Sequence, residues 1–443
     1  MATLAPPLEN PVATEKQRRR TTFAYRTLLF FSFVYYTRPA DVIPGLGFIP
    51  IEKISGGVAL IALLAGLAGR KAKIKIGLEI KVLLLLFAHL CLTIPFAFWR
   101  GGAFSTVFER FSKNVIILLL VALIVETFAQ LRTLVFVQAA AVATMTCVSV
   151  IMHPDYAGRL SGALGGIFGN PNDFAINIAI NWPLCLSFLL AARGILKKGI
   201  WACALLIMLY GVIATYSRAG SMAMVVSILV CIWEFGIRGR RLYILAIAGI
   251  LGIVATGVAL TTPHYAQRMI SIVKGNVKDS LDRGSWEARR HLLMQSIDVS
   301  IQHPLLGIGP GNFPVFSEVW QVSHNTYTEL SAEAGFPALI LFLLFLAVAF
   351  RNLRRVRKAA VYGQSEGAQL LASALWASLA AYLVGAAFTS TEYNLFPYFV
   401  VAYTSALYRL TVLTPDPNSA LAKQPTPTGD QSLWIDRRQN NSI

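Results

Sequence analysis

Charged residues are scarce in this sequence. Asp, Glu, Lys and Arg make up 14% of its 443 residues, whereas hydrophobic residues make up 56%. No window has the polarity of a water-soluble catalytic domain, which excludes a soluble globular enzyme. Apolar runs long enough to cross the roughly 30 Å hydrocarbon layer of a bilayer recur along nearly the whole chain. The composition therefore predicts a polytopic, all-α integral membrane protein.

Acidic residues are the scarcer of the two charged classes. The chain has 22 Asp and Glu against 39 Lys and Arg, which gives a formal net charge of +17. This excess does not indicate a nucleic-acid partner, because the basic residues occur in short clusters between apolar runs rather than along one amphipathic face. The clusters are typical of topology signals in membrane proteins.

Cysteine is also scarce, and no cleavable leader is expected. Five cysteines all fall inside apolar spans and have no metal-ligand spacing, so neither disulfides nor a metal site is expected. The N-terminal segment has no short apolar core followed by a small-residue cleavage site. We expect no cleaved signal peptide.

About twelve transmembrane helices are predicted. With the N-terminus in the cytoplasm, the basic clusters at 70–75, 193–198, 238–241 and 351–358 all fall in cytoplasmic turns, as the positive-inside rule requires. One outer segment, about sixty residues long, escapes that rule by its length. The predicted spans lie near 22–37, 53–69, 79–98, 113–128, 131–151, 173–192, 199–216, 219–236, 242–260, 325–350, 367–389 and 394–411.

These spans divide the chain into five parts. The polar, proline-containing C-terminus has too few apolar residues to fold alone, so it is predicted to be a disordered cytoplasmic tail. The parts are a cytoplasmic N-terminal segment at 1–21, transmembrane helices one to nine at 22–260, an outer loop with a short helix at 261–323, helices ten to twelve at 324–411, and the tail at 412–443.

Polar residues that a membrane span does not need concentrate on the outer side. Asn170, Asn172 and Asp173 fit a helix start, with a capping Asn, proline in the first turn and an acidic residue near the positive end of the helix dipole. Instead of only starting a helix, these three residues could line a binding pocket. Arg159, in the same outer segment, has no local structural explanation other than solvation. All four are candidate substrate-binding residues.

The turn at 215–221 is so short that Arg218 is predicted at the edge of the bilayer. A charge at the membrane centre costs at least ~2.5 kcal/mol, and less at the interface, so an arginine there needs a partner or must reach the surface. Its guanidinium can grip phosphate oxygens in a two-pronged way, and small neighbours such as Ser217 let a ligand approach. An anion site is therefore predicted at Arg218.

The outer loop contains a predicted surface helix from Ser285, a possible cap, to Gln302. Arg289 and Arg290 lie in it, and a glycine-rich turn at 307–311 follows. Its apolar residues recur at helical spacing, which predicts a buried face. They are Leu292, Leu293, Ile297 and Ile301.

The same loop ends in His324 and Asn325, at the start of span ten and on the side of the arginines. A histidine at a helix start can be only a cap or an interface residue. The helix dipole there lowers the pKa of an imidazole, however, and a neutral imidazole suits a general base. His324 is the candidate base.

Three segments together resemble the family of O-antigen ligases and O-antigen polymerases. They are GNPNDFA at 169–175, TYSRAGS at 215–221, and the stretch from Arg289 through HPLLGIGPGNF at 303–313 to HNTYTELSAEAG at 324–335. The last stretch is the most specific. The resemblance covers roughly residues 150–350.

The resemblance implies a GT-C type, inverting membrane glycosyltransferase that uses neither a metal nor another cofactor. Such an enzyme takes a saccharide from an undecaprenyl diphosphate-linked glycan donor and passes it to a hydroxyl of lipid A-core or another glycan. It lies among membrane lipids in the bacterial inner membrane, with its active site facing the periplasm. By the match, Arg218 and Arg289 bind the diphosphate and His324 acts on the acceptor hydroxyl. Leu293 replaces a usual aromatic, which leaves Arg290 as an alternative to Arg289.

Other functions stay open beside this one. A multi-pass transporter of a lipid-linked or anionic substrate is disfavoured because no repeat is evident and the polar residues lie at one face rather than at the midplane. A non-catalytic sensor or scaffold has little reason to gather arginines and a histidine at one outer site. The absence of an Asp-x-Asp pair in the outer loops argues against a metal-dependent oligosaccharyltransferase. Ligase and polymerase are not distinguished.

Overall fold

The computed structural model describes residues 11–37, 48–67, 77–152, 159–162, 169–241, 243–244, 257, 280–361 and 366–413. Within these ranges the chain is helical and has no β-strand. The helices of the first half are α1 (Pro11–Thr37), α2 (Ile51–Leu67), α3 (Leu78–Thr93), α4 (Arg100–Ser105), α5 (Ser112–Ile124) and α6 (Phe128–Met152).

A short 3-10 turn follows α3, and a π-helical segment, Thr106–Phe111, joins α4 to α5. Another π-helical segment, Ile232–Ile237, extends α9. The remaining helices are α7 (Pro171–Ala191), α8 (Ile195–Ala214), α9 (Arg218–Cys231), α10 (Ser280–Gln302), α11 (Phe313–Phe316), α12 (Thr326–Val361), α13 (Glu366–Ala386) and α14 (Phe396–Tyr408).

Among the described helices, 7 are long and apolar enough to cross a membrane. They are α3, α6, α7, α8, α9, α12 and α13. Each begins within a few residues of a predicted span, and α12 continues to Val361, beyond the predicted end at 350. Four further predicted spans fall on α1, α2, α5 and α14, which are helical but shorter or more polar. The ninth predicted span, 242–260, lies almost entirely outside the described residues. The all-α, multi-pass architecture is confirmed, and the count of twelve and the GT-C type remain predictions.

The helices α7, α9 and α12 begin at the same end of the bundle. Near the C-terminal end of α9, Glu234 forms a buried ion pair with Arg357, which is near the C-terminal end of α12. At the opposite end, the hydroxyl of Ser217, just before α9, donates to Oδ1 of Asn172 at 2.8 Å, in the first turn of α7. The three N-termini therefore share one end of the molecule.

The helix α13 runs back along α12 and ends beside its start. The backbone N–H of Thr326 donates to the carbonyl of Thr389 at 2.9 Å. Nδ2 of Asn325 donates to the carbonyl of Ala387 at 3.1 Å. The loop after α13 thus belongs to the same end of the bundle.

The helix α12 is broken about two and a half turns after it begins, at Gly335, whose φ is 78°. A Cβ at this position would lie 2.4 Å from the backbone of Leu305, so glycine is required both by the dihedral angle and by the close approach. A break within a membrane helix is tolerated where other protein groups satisfy the freed carbonyls. Here Ile308 N donates to Ala332 O at 3.0 Å, Gly309 N donates to Glu333 O at 2.8 Å, and His89 Nε2 lies 2.8 Å from Ala334 O.

The helix of the outer loop differs from the prediction in two respects. It begins at Ser280, so Ser285 lies within it and is not its cap. Of the predicted apolar face, Leu292 is buried, whereas Ile297 and Ile301 are 37% and 64% exposed. The buried face turns toward the polar start of α12, where Ser296 donates to Oγ1 of Thr328, and this contact overrides the apolar periodicity.

Candidate functional site

The turn before Arg218 is fixed by a hydrogen-bond network. Ser217 caps α9, with its Oγ accepting from the N–H of Gly220 at 3.1 Å. Arg159 donates from Nε to the carbonyl of Thr215 at 2.8 Å and from Nη2 to Oδ1 of Asn172 at 2.9 Å. Because Asn172 Oδ1 also accepts from Ser217, three predicted site residues join the start of α7 to the turn that presents Arg218.

The start of α7 has the predicted geometry of a helix N-terminus. Asn170 is its cap, and its Oδ1 accepts from the N–H of Asn172 at 2.9 Å. Asp173 lies in the first turn. The cap explains Asn170 locally, while Asp173 stands beside the same network at the end of the bundle shared with Arg218.

His324 lies directly before α12, half-buried and in the left-handed backbone region with φ of 58°. Burial and, to a smaller extent, the positive charge of Arg289 together lower the pKa of its imidazole from 6.5 to about 4. The imidazole is therefore neutral near pH 7, with one nitrogen free to accept a proton. Arg289 is therefore within electrostatic range of His324.

The two neighbouring arginines of α10 differ in environment. Arg289 is half-buried and Arg290 is exposed. Ser296 and Ser300, on the following turns of α10, hydrogen-bond to the first turns of α12. Arg289 is also the arginine of the two whose charge acts on the pKa of His324, which favours Arg289 over Arg290 as the arginine of the site.

Asn325 has a structural role that its position alone did not establish. Its Oδ1 accepts from the N–H groups of Tyr327 and Thr328 at 3.0 and 3.1 Å, which caps α12. Its amide nitrogen donates to the loop after α13. Asn325 therefore holds the backbone next to His324.

A cluster of buried carboxylates lies near the start of α12, which follows His324. The sequence analysis does not assign this cluster to the site. Glu329, on the first turn of α12, accepts hydrogen bonds from the N–H and the hydroxyl of Ser323 at 2.7 and 2.8 Å. Ser390 also donates to it. Because Ser323 precedes His324, Glu329 fixes one side of the histidine.

Glu333 and Glu392 complete this cluster. Glu333 accepts from the N–H groups of Gly311 and Phe313 at 2.7 and 2.9 Å and from the hydroxyl of Tyr393 at 2.7 Å. Burial raises the pKa of the Glu392 carboxyl well above its usual range, and the nearby glutamates add to this shift. Inserting a glutamate into a membrane costs free energy, so glutamates at the start of an apolar span indicate a functional or structural role. This was the signal in the sequence by which Glu329 and Glu333 could have been found.

Within the described ranges, no group of three or more His, Cys, Asp and Glu side chains is arranged to hold a metal ion. Arg218, Arg289 and His324 all lie at the end of the bundle where α7, α9 and α12 begin. This arrangement brings guanidinium charge, which can hold an anion, to the same end as a neutral imidazole, which can accept a proton.

The spanning helices define a multi-pass membrane protein, and its arginines Arg218 and Arg289 lie at one end of the bundle. Residues 203–343 match the family model described as O-Antigen ligase, and this match contains Arg218, Arg289 and His324. The resemblance predicted from the motifs is thereby confirmed, and residues 203–343 are similar to the O-antigen ligase family. This match supports a membrane glycosyltransferase of the ligase or polymerase type. A search of curated proteins finds no match.

Proposed function

We propose that the protein transfers a saccharide from undecaprenyl diphosphate to a hydroxyl of lipid A-core or of another glycan, at the periplasmic face of the bacterial inner membrane. The reaction is metal-independent and inverting. The observation that carries this proposal is that Arg218 and a neutral His324, on which the charge of Arg289 acts, lie at the same end of the bundle and within the family match.

The two arginines act on the leaving group. When the bond between the anomeric carbon and the phosphate oxygen breaks, negative charge builds up on the departing diphosphate. Arg218 and Arg289 stabilise this charge, and their planar forks can each bind two phosphate oxygens. The network of Arg159, Asn172 and Ser217 holds the turn so that Arg218 points at the donor without reorganisation.

His324 acts on the acceptor. Its neutral imidazole takes the proton of the acceptor hydroxyl as the oxygen attacks the anomeric carbon from the face opposite the diphosphate, which inverts the configuration. A bound diphosphate offsets the charge of Arg289 and so raises the pKa of His324 toward the working pH. Donor binding thus strengthens the base at the moment it is needed.

The remaining predicted residues support substrate binding in two ways. Asn170 and Asn325 fix the starts of α7 and α12. Asp173, in the first turn of α7, and Arg290, exposed on α10, contact the saccharide portions of donor or acceptor.

Expression in a bacterial strain that lacks its own O-antigen ligase tests the proposal. Gel analysis of the lipopolysaccharide is expected to show glycan transferred to lipid A-core with the parent protein. With Arg218→Lys or Arg289→Lys, transfer should fall at least about tenfold, because lysine keeps the charge but lacks the planar fork. Wild-type transfer by both variants at normal protein levels would refute the diphosphate assignment.

The same experiment separates ligase from polymerase. A parallel strain that lacks only its O-antigen polymerase should remain without long glycan ladders if the protein is a ligase. Restored ladders there, with no transfer in the ligase-deficient strain, would assign the polymerase reaction to the same residues.

A further inference from the structure

A cavity of about 460 Å³ lies at the end of the bundle opposite the candidate site. It is formed between the C-terminal parts of α9 and α12 and the middle of α13. The buried ion pair of Glu234 with Arg357 closes its inner side. Four cationic side chains line it, namely Arg238, Arg354, Arg357 and Lys358.

The cavity keeps positive charge after its internal pairs are counted. Glu234 is the single carboxylate among the lining residues, and it bonds to Arg357 and lies 3.6 Å from Arg238. Within the part of the chain that the structure describes, Arg354 and Lys358 have no carboxylate partner. Two exposed cations at the mouth therefore favour an anionic ligand.

Arg357 is held in one orientation. Its side chain is only 8% exposed, and its guanidinium carbon lies 3.9 Å from the ring centroid of Trp376. Its buried Nε has no hydrogen-bond partner among the described residues. A buried donor left without an acceptor costs free energy, which an oxygen atom of a ligand would recover. The guanidinium carbon of Arg354 lies 5.6 Å from the centroid of the same ring.

The outer wall of the cavity faces the bilayer. Leu229 and Trp233 of α9 and its π-helical extension are each 58% exposed, on a helix apolar enough to span the membrane. The apolar run of α12 ends at Phe350, so the cations that follow it lie at the level of lipid headgroups. A ligand in this cavity thus meets fixed positive charge on one side and hydrocarbon on the other.

We propose that this cavity binds the headgroup of an anionic glycerophospholipid, with the phosphate at Arg354, Arg357 and Lys358 and the acyl chains along Leu229 and Trp233. Basic pockets between transmembrane helices at the cytoplasmic side suit such headgroups. In the predicted orientation the lipid belongs to the cytoplasmic leaflet. The bilayer-facing wall favours a lipid over free phosphate, which would gain nothing from Leu229 or Trp233. This site is separate from the proposed transferase site and does not depend on it.

The test uses the full-length protein in detergent, with phosphatidylglycerol, phosphatidylcholine of the same acyl chains, or inorganic phosphate added. Bound lipid is counted by native mass spectrometry, and thermal unfolding is followed in parallel. Phosphatidylglycerol should bind and raise the Tm, whereas phosphatidylcholine and phosphate should not. In Arg354→Gln/Lys358→Gln, phosphatidylglycerol binding should weaken at least about tenfold, the loss expected when two phosphate contacts are removed. These two residues are chosen because neither is bonded to Glu234, so the buried pair stays intact.

The matched control is Arg193→Gln/Lys198→Gln. It removes the same charge from two exposed residues at the same end of the bundle, Arg193 in the turn between α7 and α8 and Lys198 in the first turn of α8. The control should bind phosphatidylglycerol as the parent does. Equal binding by the cavity variant and the control would overturn the proposal, as would equal binding of phosphatidylglycerol and phosphatidylcholine. Stabilisation by phosphate as large as that by phosphatidylglycerol would overturn the assignment to a lipid.

Discussion

At the scale of single residues, the environment of His324 makes a definite prediction about pH. Burial and the charge of Arg289 lower its pKa to about 4, so the imidazole remains neutral as the pH falls through the usual histidine range. The acid limb of kcat/KM, which reports groups of the free enzyme, should therefore lie near pH 4 and not near 6.5. A limb near 6.5 in the parent protein would contradict the burial and charge assigned to His324.

The charge of Arg289 can be tested through the same limb. In Arg289→Gln, removal of the positive charge should raise the pKa of His324, so the acid limb moves to higher pH. Arg289→Lys is the matched control, because it keeps the charge and should leave the limb in place while turnover falls. An unshifted limb in Arg289→Gln would mean that the two side chains do not interact.

Residues of the site could be predicted where their role depends on local chemistry. Asn170 is predicted as a helix cap and is the cap of α7, whereas Ser217 is predicted only as a small residue beside Arg218 and is found to be the cap of α9. Glu392 could not be found in this way. It lies about seventy residues after His324 and joins Glu329 and Glu333 only because α13 folds back along α12.

At the scale of helices, the break in α12 is the feature that shapes the site. Gly335→Ala would place a Cβ 2.4 Å from the backbone of Leu305 and force an unfavourable positive φ. Strained dihedrals of this kind cost about 1–3 kcal/mol each, before the clash is added. We expect a lower Tm in detergent. We also expect loss of transfer, because the break lets the start of α12, which follows His324, pack against the loop at Leu305.

Gly199→Ala is the control for this substitution. Gly199 lies within α8, and a Cβ there would meet nothing within 4 Å. Alanine is the better helix former by about 0.5–1 kcal/mol, so the Tm should stay the same or rise slightly. A Gly335→Ala protein as stable as Gly199→Ala would show that the break is not required.

The periodicity of apolar residues predicted the spanning helices well but not the break or the buried face of α10. Spanning helices follow from length and hydropathy alone, which are properties of the sequence. The buried face of α10 is set by contacts of Ser296 and Ser300 with α12, and hydropathy takes no account of such polar contacts. The dihedral angle of Gly335 is likewise imposed by the loop at Leu305.

At the scale of the whole molecule, the placement of the basic clusters predicts its orientation. Reporter fusions after Arg241 and after Lys358 should report the cytoplasm, because these clusters follow the positive-inside rule. A fusion after Gln302, at the end of α10, should report the periplasm. A cytoplasmic signal at Gln302 would invert the molecule and place the site on the wrong side for a periplasmic donor.

The central claim is that Arg218, Arg289 and His324 form a metal-independent transferase site, and turnover by the purified protein measures it most directly. With a labelled undecaprenyl diphosphate-linked glycan and lipid A-core, the parent should transfer glycan in the presence of a chelator. His324→Ala should lose about 10²- to 10⁴-fold in turnover while still binding the donor, as expected for loss of a general base. His303→Ala changes an exposed loop residue of the same segment, and this variant should transfer glycan at the parental rate. Parental turnover by His324→Ala, or activity that a chelator abolishes and a divalent cation restores, would contradict the account.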